Sequence, residues 1–420
     1  MNLSKQTVIE KVKLIPYFQS KKFNITKVER KKDLYRRNKM ERIYIIDGAR
    51  TPIGKYGGMF SEVLPELLGG TLLKKLLNRN ELTRVDEVIT GNVIGGGGNV
   101  SRRISLVSGL DITVPAFTID RQCASGLESI LVATAKIKSG MAECIACGGV
   151  ESTSRAPWMI ERPTRLYGRN PFILERAPLS IPEYGDPAMG IACEKLAEGL
   201  QIDRLKQDQY AYESQMNYQK AKSAKVFSKE IISFNQFHED ECPRPKTTIA
   251  KLSALPSAFC QGGALTAGNS SPLSDGAAFL LLASERYCLE HQLNPLFEII
   301  DGASIGVLPE KFGLGPIYAT EKLLKKNEMT LLDMDRIELN EAFAAQVLAC
   351  FQLEKWPENR VNVSGGALAY GHPFGATGTI LVRRLMSELQ QKDHLKKGLV
   401  TMCVGGGQGT TLMLRKVSSQ

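Results

Sequence analysis

The 420-residue sequence has no long hydrophobic run and no secretory signal. No apolar stretch reaches the roughly 20 residues that a helix needs to cross a bilayer, and the first residues lack the apolar segment of a signal peptide. The nine cysteines are an odd, scattered set, which is not the pattern of a disulfide framework. These absences predict reduced thiols in a cytoplasmic protein without a membrane partner.

The main body of the chain also lacks an excess of charge. The formal net charge is +10, but residues 1–39 hold twelve Lys and Arg against three Asp and Glu. The remainder is therefore close to neutral, which argues against nucleic-acid binding by the main body. For the basic extension 1–39 we favour a start of translation at Met40. The alternatives are a disordered basic arm, with a role in binding RNA or anionic lipid, and a weak mitochondrial-type presequence.

Motifs for metals and nucleotides are absent as well. The glycines at 95–98 are not followed by the lysine of a phosphate-binding loop. Cys144 and Cys147 have no second pair of ligands with which to complete a zinc site. We therefore assign the glycines to a loop and the two cysteines to the core.

An internal repeat, which begins after Met40, organises the rest of the sequence. Five segments recur about 250 residues later in the same order. The matched pairs are 45–49 with 299–303, 76–83 with 323–330, 85–88 with 334–337, 123–126 with 375–378, and 147–149 with 405–407. The repeat predicts two similar halves.

Each half is predicted to be an α/β unit in which strands and helices alternate around a mostly parallel sheet. The first half contains an insertion that is rich in proline, arginine and polar residues, with a helical stretch at 187–225. We therefore predict four parts: the extension 1–39, an N-terminal half (40–150 with 273–295), a loop domain (151–272) and a C-terminal half (296–420).

Cys123 lies where a predicted strand, residues 114–119, turns into an apolar helix pattern. The first N–H groups of a helix are unpaired, and the macrodipole is positive there. Both effects favour ionisation of a thiol, and the thiolate is the nucleophilic form. The small residues at 124–126 leave room for a substrate. A buried structural cysteine is the alternative, because free cysteines are among the most buried residues.

Three further segments are expected at the same edge of the doubled sheet, where strand ends gather. Asn340 follows a predicted strand, and His372, one of only four histidines, precedes the helix of the second half. Cys403 ends another predicted strand and is followed by the glycines at 405–407. Together with Cys123 they form a Cys–His–Cys–Asn set.

This set of side chains is suited to acyl transfer combined with carbanion chemistry. A thiolate accepts an acyl group and an imidazole activates it, while a second thiol moves a proton at the carbon next to a carbonyl. An amide and backbone N–H groups stabilise an oxyanion by ~3 kcal/mol per donor. The combination is that of Claisen condensation or its reverse.

From Met40 to its end the chain resembles the thiolases, which act on acyl-coenzyme A thioesters. The motifs that carry the resemblance are 50–54, 123–126, 148–152, 266–269, 340–343, 371–373 and 403–407. The resemblance implies a five-layered αβαβα core of two duplicated halves plus an inserted loop domain. It also implies reversible CoA-dependent condensation or thiolysis of 3-ketoacyl-CoA, with acyl-CoA, acetyl-CoA and CoA as substrates. It further implies a homodimer or homotetramer, no cofactor, no metal, and a role in fatty acid metabolism such as β-oxidation.

The resemblance also implies a role for each site residue. Cys123 becomes the acylated nucleophile, His372 its activator, and Cys403 the acid and base at the substrate α-carbon. Asn340 would position a water in one oxyanion hole with His372, and the N–H groups of Cys123 and Gly405 would form the other.

Two residues outside this set are implied to hold the coenzyme. By its position in the loop-domain motif, Ser271 would contact the pantetheine arm. Arg244 would lie near the coenzyme phosphates, where a guanidinium is well suited to bind. A solvated surface arginine is the alternative for Arg244.

The chain departs from the family pattern near the acyl pocket and the pantetheine. Ala188 stands where short-chain biosynthetic members often carry histidine, and Pro272 and Ser274 replace a glycine and an asparagine. These changes argue against a strict acetoacetyl-CoA enzyme. The small Ala188 favours a longer 3-ketoacyl chain.

Two other functions fit parts of the pattern. A ketoacyl-synthase-like condensing enzyme would use one cysteine with two histidines or with histidine and asparagine, so the second cysteine, Cys403, argues against it. A non-catalytic thiolase-like acyl-CoA binding protein would not need Cys123, His372 and Cys403 to be intact.

Overall fold

The computed structural model describes residues 41–417 except 163–164, 166 and 168–169. The extension 1–39, the start at Met40 and the alternatives offered for them lie outside the described residues.

Strands and helices alternate along the described chain. The strands are β1 Ile43–Arg50, β2 Gly54–Lys55, β3 Glu87–Gly91, β4 Ala116–Ile119, β5 Cys144–Ser152, β6 Met159–Glu161, β7 Phe172–Leu174, β8 Ser274–Ser284, β9 Phe297–Gly306, β10 Arg336–Leu339, β11 Lys397–Val404 and β12 Gln408–Lys416. The helices are α1 Pro65–Arg79, α2 Val100–Ser108, α3 Ser125–Lys138, α4 Met189–Gly199, α5 Arg204–Ser223, α6 Ile249–Ser253, α7 Glu285–Glu290, α8 Gly315–Lys326, α9 Ala344–Leu353, α10 Ala367–Tyr370 and α11 Phe374–Gln390. Within the described ranges, every helix is too short or too polar to cross a lipid bilayer.

Most strands join one sheet, in the spatial order β10-β11-β12-β9-β1-β8-β5-β3-β4, with β2 paired to β8. Only the pairs β3–β4, β3–β5 and β10–β11 are parallel in this sheet. The prediction of a mostly parallel sheet is therefore wrong. β12 follows β11 after the short turn at 405–407, and so short a connection joins antiparallel strands only. β8 likewise runs antiparallel to both of its long neighbours, β1 and β5.

The two halves repeat each other down to single hydrogen bonds, which confirms the internal repeat. On β1, Asp47 Oδ2 accepts from the side chain of Asn80, which follows α1, at 2.9 Å. On β9, Asp301 Oδ2 accepts from Asn327, which follows α8, at 3.0 Å. The first strands of the two halves, β1 and β9, pair side by side and join the two half-sheets.

The alternation of side chains along the strands divides the core of the five structural layers into three main apolar clusters, the central one of which surrounds the middle helices. On β8, Leu280 and Leu282 point towards the central helices α3 and α11, which lie between the half-sheets. Phe279 and Leu281 point the other way, towards α1 and α2. The outer face of the second half-sheet packs on α8 and α9. This order, αβαβα, confirms the predicted fold class.

The segment between β5 and β8 contains the short ribbon of β6 and β7 and the helices α4 to α6. The predicted helical stretch at 187–225 is divided into two helices, α4 and α5. Gln201 between them adopts a left-handed φ of 53°, a backbone conformation that a continuous helix cannot contain. The exact boundaries of the loop domain stay a prediction.

A buried guanidinium anchors this inserted segment to the sheet. Arg50 at the end of β1 has no exposed surface. Its Nε atom lies 2.8 Å from Glu230 Oε1, and its Nη1 atom lies 2.6 Å from Asp240 Oδ1. The hydroxyl of Tyr218 donates to Asp240 Oδ2 at 2.8 Å. The motif at 50–54 therefore has a structural role in attaching the insertion.

We expect Arg50→Met to lower the free energy of unfolding by roughly 3–5 kcal/mol, because Asp240 would remain buried without a cation. Thermal unfolding followed by circular dichroism measures the change. The control Lys55→Ala removes an exposed ion pair with Glu241, at 3.5 Å, and should cost less than about 1 kcal/mol. A loss for Arg50→Met no larger than that of the control would contradict the anchoring role.

Candidate active site

Cys123 lies in the tight turn between β4 and α3, which confirms its predicted place between a strand and a helix. Gln122 adopts a left-handed φ of 46°, which is uncommon for a residue other than glycine. Its N–H donates to Asp120 Oδ1 at 2.6 Å. The hydroxyl of Ser125 accepts from the N–H of Arg121 and donates to the carbonyl of Gln122. These bonds hold the turn in one conformation.

The Cys123 sulfur is buried and receives two backbone N–H groups, that of Gly405 and its own. Gly405 belongs to the turn between β11 and β12, so the two halves meet at this sulfur. Burial nevertheless raises the pKa of Cys123 to about 11. The two N–H groups lower the pKa of this thiol, as expected at a helix start, but burial outweighs them, so the pKa in the free protein is raised.

Cys403 on β11 lies two residues before Gly405, whose N–H reaches the Cys123 sulfur. It is completely buried, and burial raises its pKa well above the ordinary value. The Cys123 thiol raises the pKa of Cys403 further, so the two sulfurs interact electrostatically. Because two neighbouring thiolates repel each other, ionisation of one makes ionisation of the other less favourable. All nine cysteines of the chain are free thiols.

His372 precedes α11 and is also buried. Its Nδ1 atom lies 2.6 Å from the hydroxyl oxygen of Thr377, and that hydroxyl lies 3.0 Å from the carbonyl of Pro373. Because the Thr377 hydroxyl donates to this carbonyl, Nδ1 carries the imidazole proton and Nε2 is free to accept one. Burial lowers the pKa of His372 to about 3. The imidazole is thus neutral at physiological pH, which is the form a general base requires.

Gly371 allows the chain to approach β8 closely. Its φ is 106°, and a Cβ atom there would lie 2.4 Å from the hydroxyl of Ser274. That hydroxyl accepts from the N–H of His372 at 3.1 Å and donates to the carbonyl of Pro272 at 2.7 Å. Ser274, which was predicted near the acyl pocket or the pantetheine, thus supports the backbone of the histidine.

Asn340 follows β10 and lies against the imidazole. Its Nδ2 atom is 3.4 Å from His372 Nε2, and its backbone N–H donates to the carbonyl of Thr401 at 3.0 Å. Its Oδ1 atom is buried and has no hydrogen-bond partner among the described residues. Buried polar atoms without a partner are rare. This Oδ1 atom is therefore suited to accept a hydrogen bond from a water.

The two residues expected to hold the coenzyme lie in different surroundings. The N–H of Ser271 donates to the carbonyl of Ala342 at 3.0 Å, which brings Ser271 beside the loop that carries Asn340. Arg244 is exposed and lines a cleft of about 390 Å³. Lys246 and Lys251 line the same cleft, so its surface is basic.

The roles of three side chains of the site were not found from the sequence. Thr377 and Ser274 support His372, and the carboxylate of Glu151 accepts from the N–H of Gly375 at 2.9 Å. A signal existed for Glu151, because an acid at the end of an otherwise apolar strand needs a partner. Thr377 carries no such signal, since a threonine in a helix is ordinary.

The comparisons with known proteins agree on one family. The model of the N-terminal domain of thiolase matches residues 43–286, and the model of its C-terminal domain matches residues 293–416. These comparisons give no support to a ketoacyl-synthase-like enzyme or to a non-catalytic binding protein.

Relatives and solved structures match over nearly their full length. A probable acetyl-CoA acyltransferase of Staphylococcus epidermidis is 37% identical over 394 residues, which cover 90% of this chain and 99% of the relative. A beta-ketoadipyl-CoA thiolase of Escherichia coli is 37% identical over 402 residues, with 90% and 100% covered. The crystal structure of human mitochondrial 3-ketoacyl-CoA thiolase in complex with CoA aligns with a TM-score of 0.84 at 33% identity, covering 90% of this chain and 99% of that one. Since both halves of the chain are matched, this protein belongs to the thiolase family and is an acyltransferase.

Proposed function

We propose that this thiolase cleaves and forms 3-ketoacyl-CoA through an acyl thioester on Cys123. The observation that supports the proposal is the approach of the Cys123 turn to the turn at Gly405, which directly follows the strand end that carries Cys403. Cys123 is held by the N–H of Gly405, and it interacts electrostatically with Cys403. A nucleophile and a second acid–base group at one place are what a two-step Claisen reaction needs.

In the first step the Cys123 sulfur attacks the 3-keto carbon while its proton moves to Nε2 of His372. Nε2 can accept this proton because Nδ1 carries the imidazole proton and donates it in a hydrogen bond to the Thr377 hydroxyl. The bond between C2 and C3 breaks, and the departing acetyl-CoA enolate takes a proton from Cys403. The N–H groups of Cys123 and Gly405 stabilise one oxyanion, and Asn340 with His372 holds the water that stabilises the other.

In the second step CoA attacks the acyl group on Cys123. The CoA proton passes to the Cys403 thiolate, and the imidazolium of His372 returns its proton to the Cys123 sulfur. Acylation also prepares Cys403 for this role. An acylated Cys123 can no longer ionise, which removes one of the effects that raise the pKa of Cys403.

Coenzyme binding is assigned to the surfaces around Ser271 and Arg244. Ser271 lies beside the Asn340 loop and would contact the pantetheine arm. The basic cleft lined by Arg244, Lys246 and Lys251 would hold the phosphates. Acyl-CoA, acetyl-CoA and CoA are then substrates. The reaction needs no metal or resident cofactor, since the side chains supply the nucleophile, the base and the oxyanion donors.

We further infer a cytoplasmic homodimer or homotetramer without nucleic-acid or membrane partners. Free thiols and a nearly neutral main body support the location and the absence of these partners. Among the described strands, β4 lies at the end of the sheet order, and an edge strand of this kind can pair with a second copy.

We expect thiolysis of 3-ketoacyl-CoA with an eight-carbon chain to be at least as efficient as with a four-carbon chain. Ala188 precedes Met189, whose sulfur lies 3.5 Å from where a Cβ atom of Gly405 would be, and the small Ala188 leaves room there. Values of kcat/KM for C4 and C8 substrates, assayed in both directions, test the activity and the chain length together.

The matched variant Ala188→His should lower the C8-to-C4 ratio by roughly tenfold, as pocket filling does elsewhere. If the native enzyme turned over neither substrate, the proposed reaction would be refuted. A strict C4 preference in the native enzyme would refute only the assignment of chain length.

A further inference from the structure

Glu151 is a fully buried carboxylate at the end of β5 that receives four hydrogen bonds. Oε1 accepts from Asn92 Nδ2 at 2.7 Å and from the N–H of Ile94 at 3.4 Å. Oε2 accepts from the N–H of Val93 at 3.0 Å and from the N–H of Gly375 at 2.9 Å. Three donors belong to the loop after β3, and the fourth belongs to the other half of the protein. The carboxylate therefore connects the two halves.

The donor from the second half lies in the first turn of α11, directly after His372 and Pro373. This helix has no capping side chain of its own and no acid in its first turn. Glu151 supplies the negative group that a helix start favours. β5 and the start of α11 are in close backbone contact here, because a Cβ atom at Gly149 would lie only 1.8 Å from the carbonyl oxygen of Gly375. Glu151 thus fixes where α11 begins.

The same backbone contact links Glu151 to the turn that carries Cys123. The carbonyl oxygen of Gly375 also lies 2.7 Å from where a Cβ atom of Gly126 would be. The hydroxyl of Thr379 donates to the carbonyl of Gly126 at 3.0 Å. The starts of α3 and α11 are therefore in direct contact, and the carboxylate holds one of them in place.

Glu151 also acts on Cys123 through its charge. Ionised Glu151 and Asp120 both raise the pKa of Cys123, and Asp120 raises that of Glu151. Burial raises the pKa of Glu151 to about 7, against the effect of its backbone donors. On the α11 side, His372 is neutral in this range because its own pKa is about 3. Near neutral pH the charge of Glu151 therefore changes, and the N–H of Gly375 that it binds belongs to the helix start in contact with the Cys123 turn.

We propose that Glu151 is a positioning residue whose carboxylate holds the start of α11, and with it His372, against the Cys123 turn, and whose ionisation makes Cys123 less reactive. The first part rests on the proposed roles of Cys123 and His372. A protonated carboxyl group places a hydrogen among N–H donors and loses acceptor capacity. Ionisation therefore strengthens the anchor and at the same time disfavours the thiolate.

The test compares alkylation of Cys123 by iodoacetamide, mapped by mass spectrometry, between pH 5.5 and 9 in the native enzyme and in Glu151→Gln. In the native enzyme we expect the rate to rise with pH and to flatten around pH 7, where Glu151 ionises. In Glu151→Gln the rise should continue through pH 7, with alkylation at pH 8.5 roughly 3- to 10-fold faster than in the native enzyme.

Turnover should change in the opposite direction. In Glu151→Gln we expect kcat to fall by roughly tenfold with KM changed less than about twofold, since an amide cannot accept at both former oxygens. The control Glu338→Gln replaces another fully buried strand carboxylate, one whose pKa burial raises to about 8. In Glu338→Gln the alkylation rate of Cys123 should still flatten near pH 7, as in the native enzyme. General loss of structure would also expose the buried Cys123 sulfur, so the same pair of changes in Glu338→Gln would overturn the assignment to Glu151.

If the alkylation rate of Cys123 in the native enzyme rose without flattening near pH 7, the proposed effect of the Glu151 charge on Cys123 would be wrong. This outcome does not depend on whether the variant folds. Native kcat in a folded Glu151→Gln would overturn the positioning part. Alkylation does not require Cys123 to carry the acyl group. Normal turnover in Cys123→Ser would therefore refute the proposed function, whatever pH dependence of alkylation the native enzyme and Glu151→Gln show.

Discussion

Cys123→Ser is expected to form no acyl-enzyme and to lower thiolysis by roughly 10³-fold or more. In the native site the sulfur is so deeply buried that its pKa is about 11, so attack depends on transfer of the proton to His372. A serine hydroxyl is a far weaker acid and nucleophile than a thiol, and the same imidazole cannot activate it to the same extent. Mass spectrometry after incubation with 3-ketoacyl-CoA in the absence of CoA measures the adduct.

Cys288→Ser is the matched control for this change. Cys288 on α7 is also buried, and burial raises its pKa to about 11 as well, but it packs in the outer layer with α1. We expect native acylation and turnover in this variant. An acyl adduct on another cysteine of the native enzyme, or native activity in Cys123→Ser, would show that the nucleophile is misassigned.

Cys403→Ala is expected to retain acylation of Cys123 and to lose carbon–carbon bond formation by ~10²- to 10⁴-fold, the usual contribution of an acid–base group. Alanine keeps the apolar packing of β11 but removes the proton carrier at the substrate α-carbon. Acetylation by acetyl-CoA in a single turnover, read by mass spectrometry, reports the first step. Condensation of two acetyl-CoA molecules reports the second.

The control for Cys403 is Cys350→Ala, which removes a neighbouring buried thiol in the same apolar layer. It should leave both steps close to native, because Cys350 is not predicted to touch substrate. Normal condensation by Cys403→Ala would make the acid–base assignment wrong. Equal loss of both steps would show that Cys403 supports the turn at Gly405 rather than moving a proton.

Much of the fold could be predicted because the duplication is present in the sequence itself. The matched segments at 45–49 and 299–303 each contain an aspartate, and Asp47 and Asp301 make the same hydrogen bond in the two halves. Strand direction could not be predicted in this way. Alternating apolar residues identify a strand and its faces, but the length of the connection and the neighbour across the sheet decide whether a pair is parallel.

The reactive groups could be found because histidine is rare in this chain and because Cys123, Asn340 and Cys403 stood at the ends of predicted strands. Their states could not be predicted. A cysteine at a helix start suggests a lowered pKa, but the pKa of Cys123 is raised because the surrounding layers exclude water. The supporting groups Thr377 and Glu151 were found only when the chain was folded, since each acts on a residue brought to it by packing.

By itself, then, the amino-acid sequence determined the doubled α/β plan and the kinds of reactive group that this protein contains, because both are properties of residue type and order. Only the tertiary structure decided which strands run antiparallel, which nitrogen of His372 holds the proton, and how burial changes the pKa of each thiol. These depend on the dielectric surroundings and hydrogen-bond partners of each atom, and those are set by residues far away along the chain.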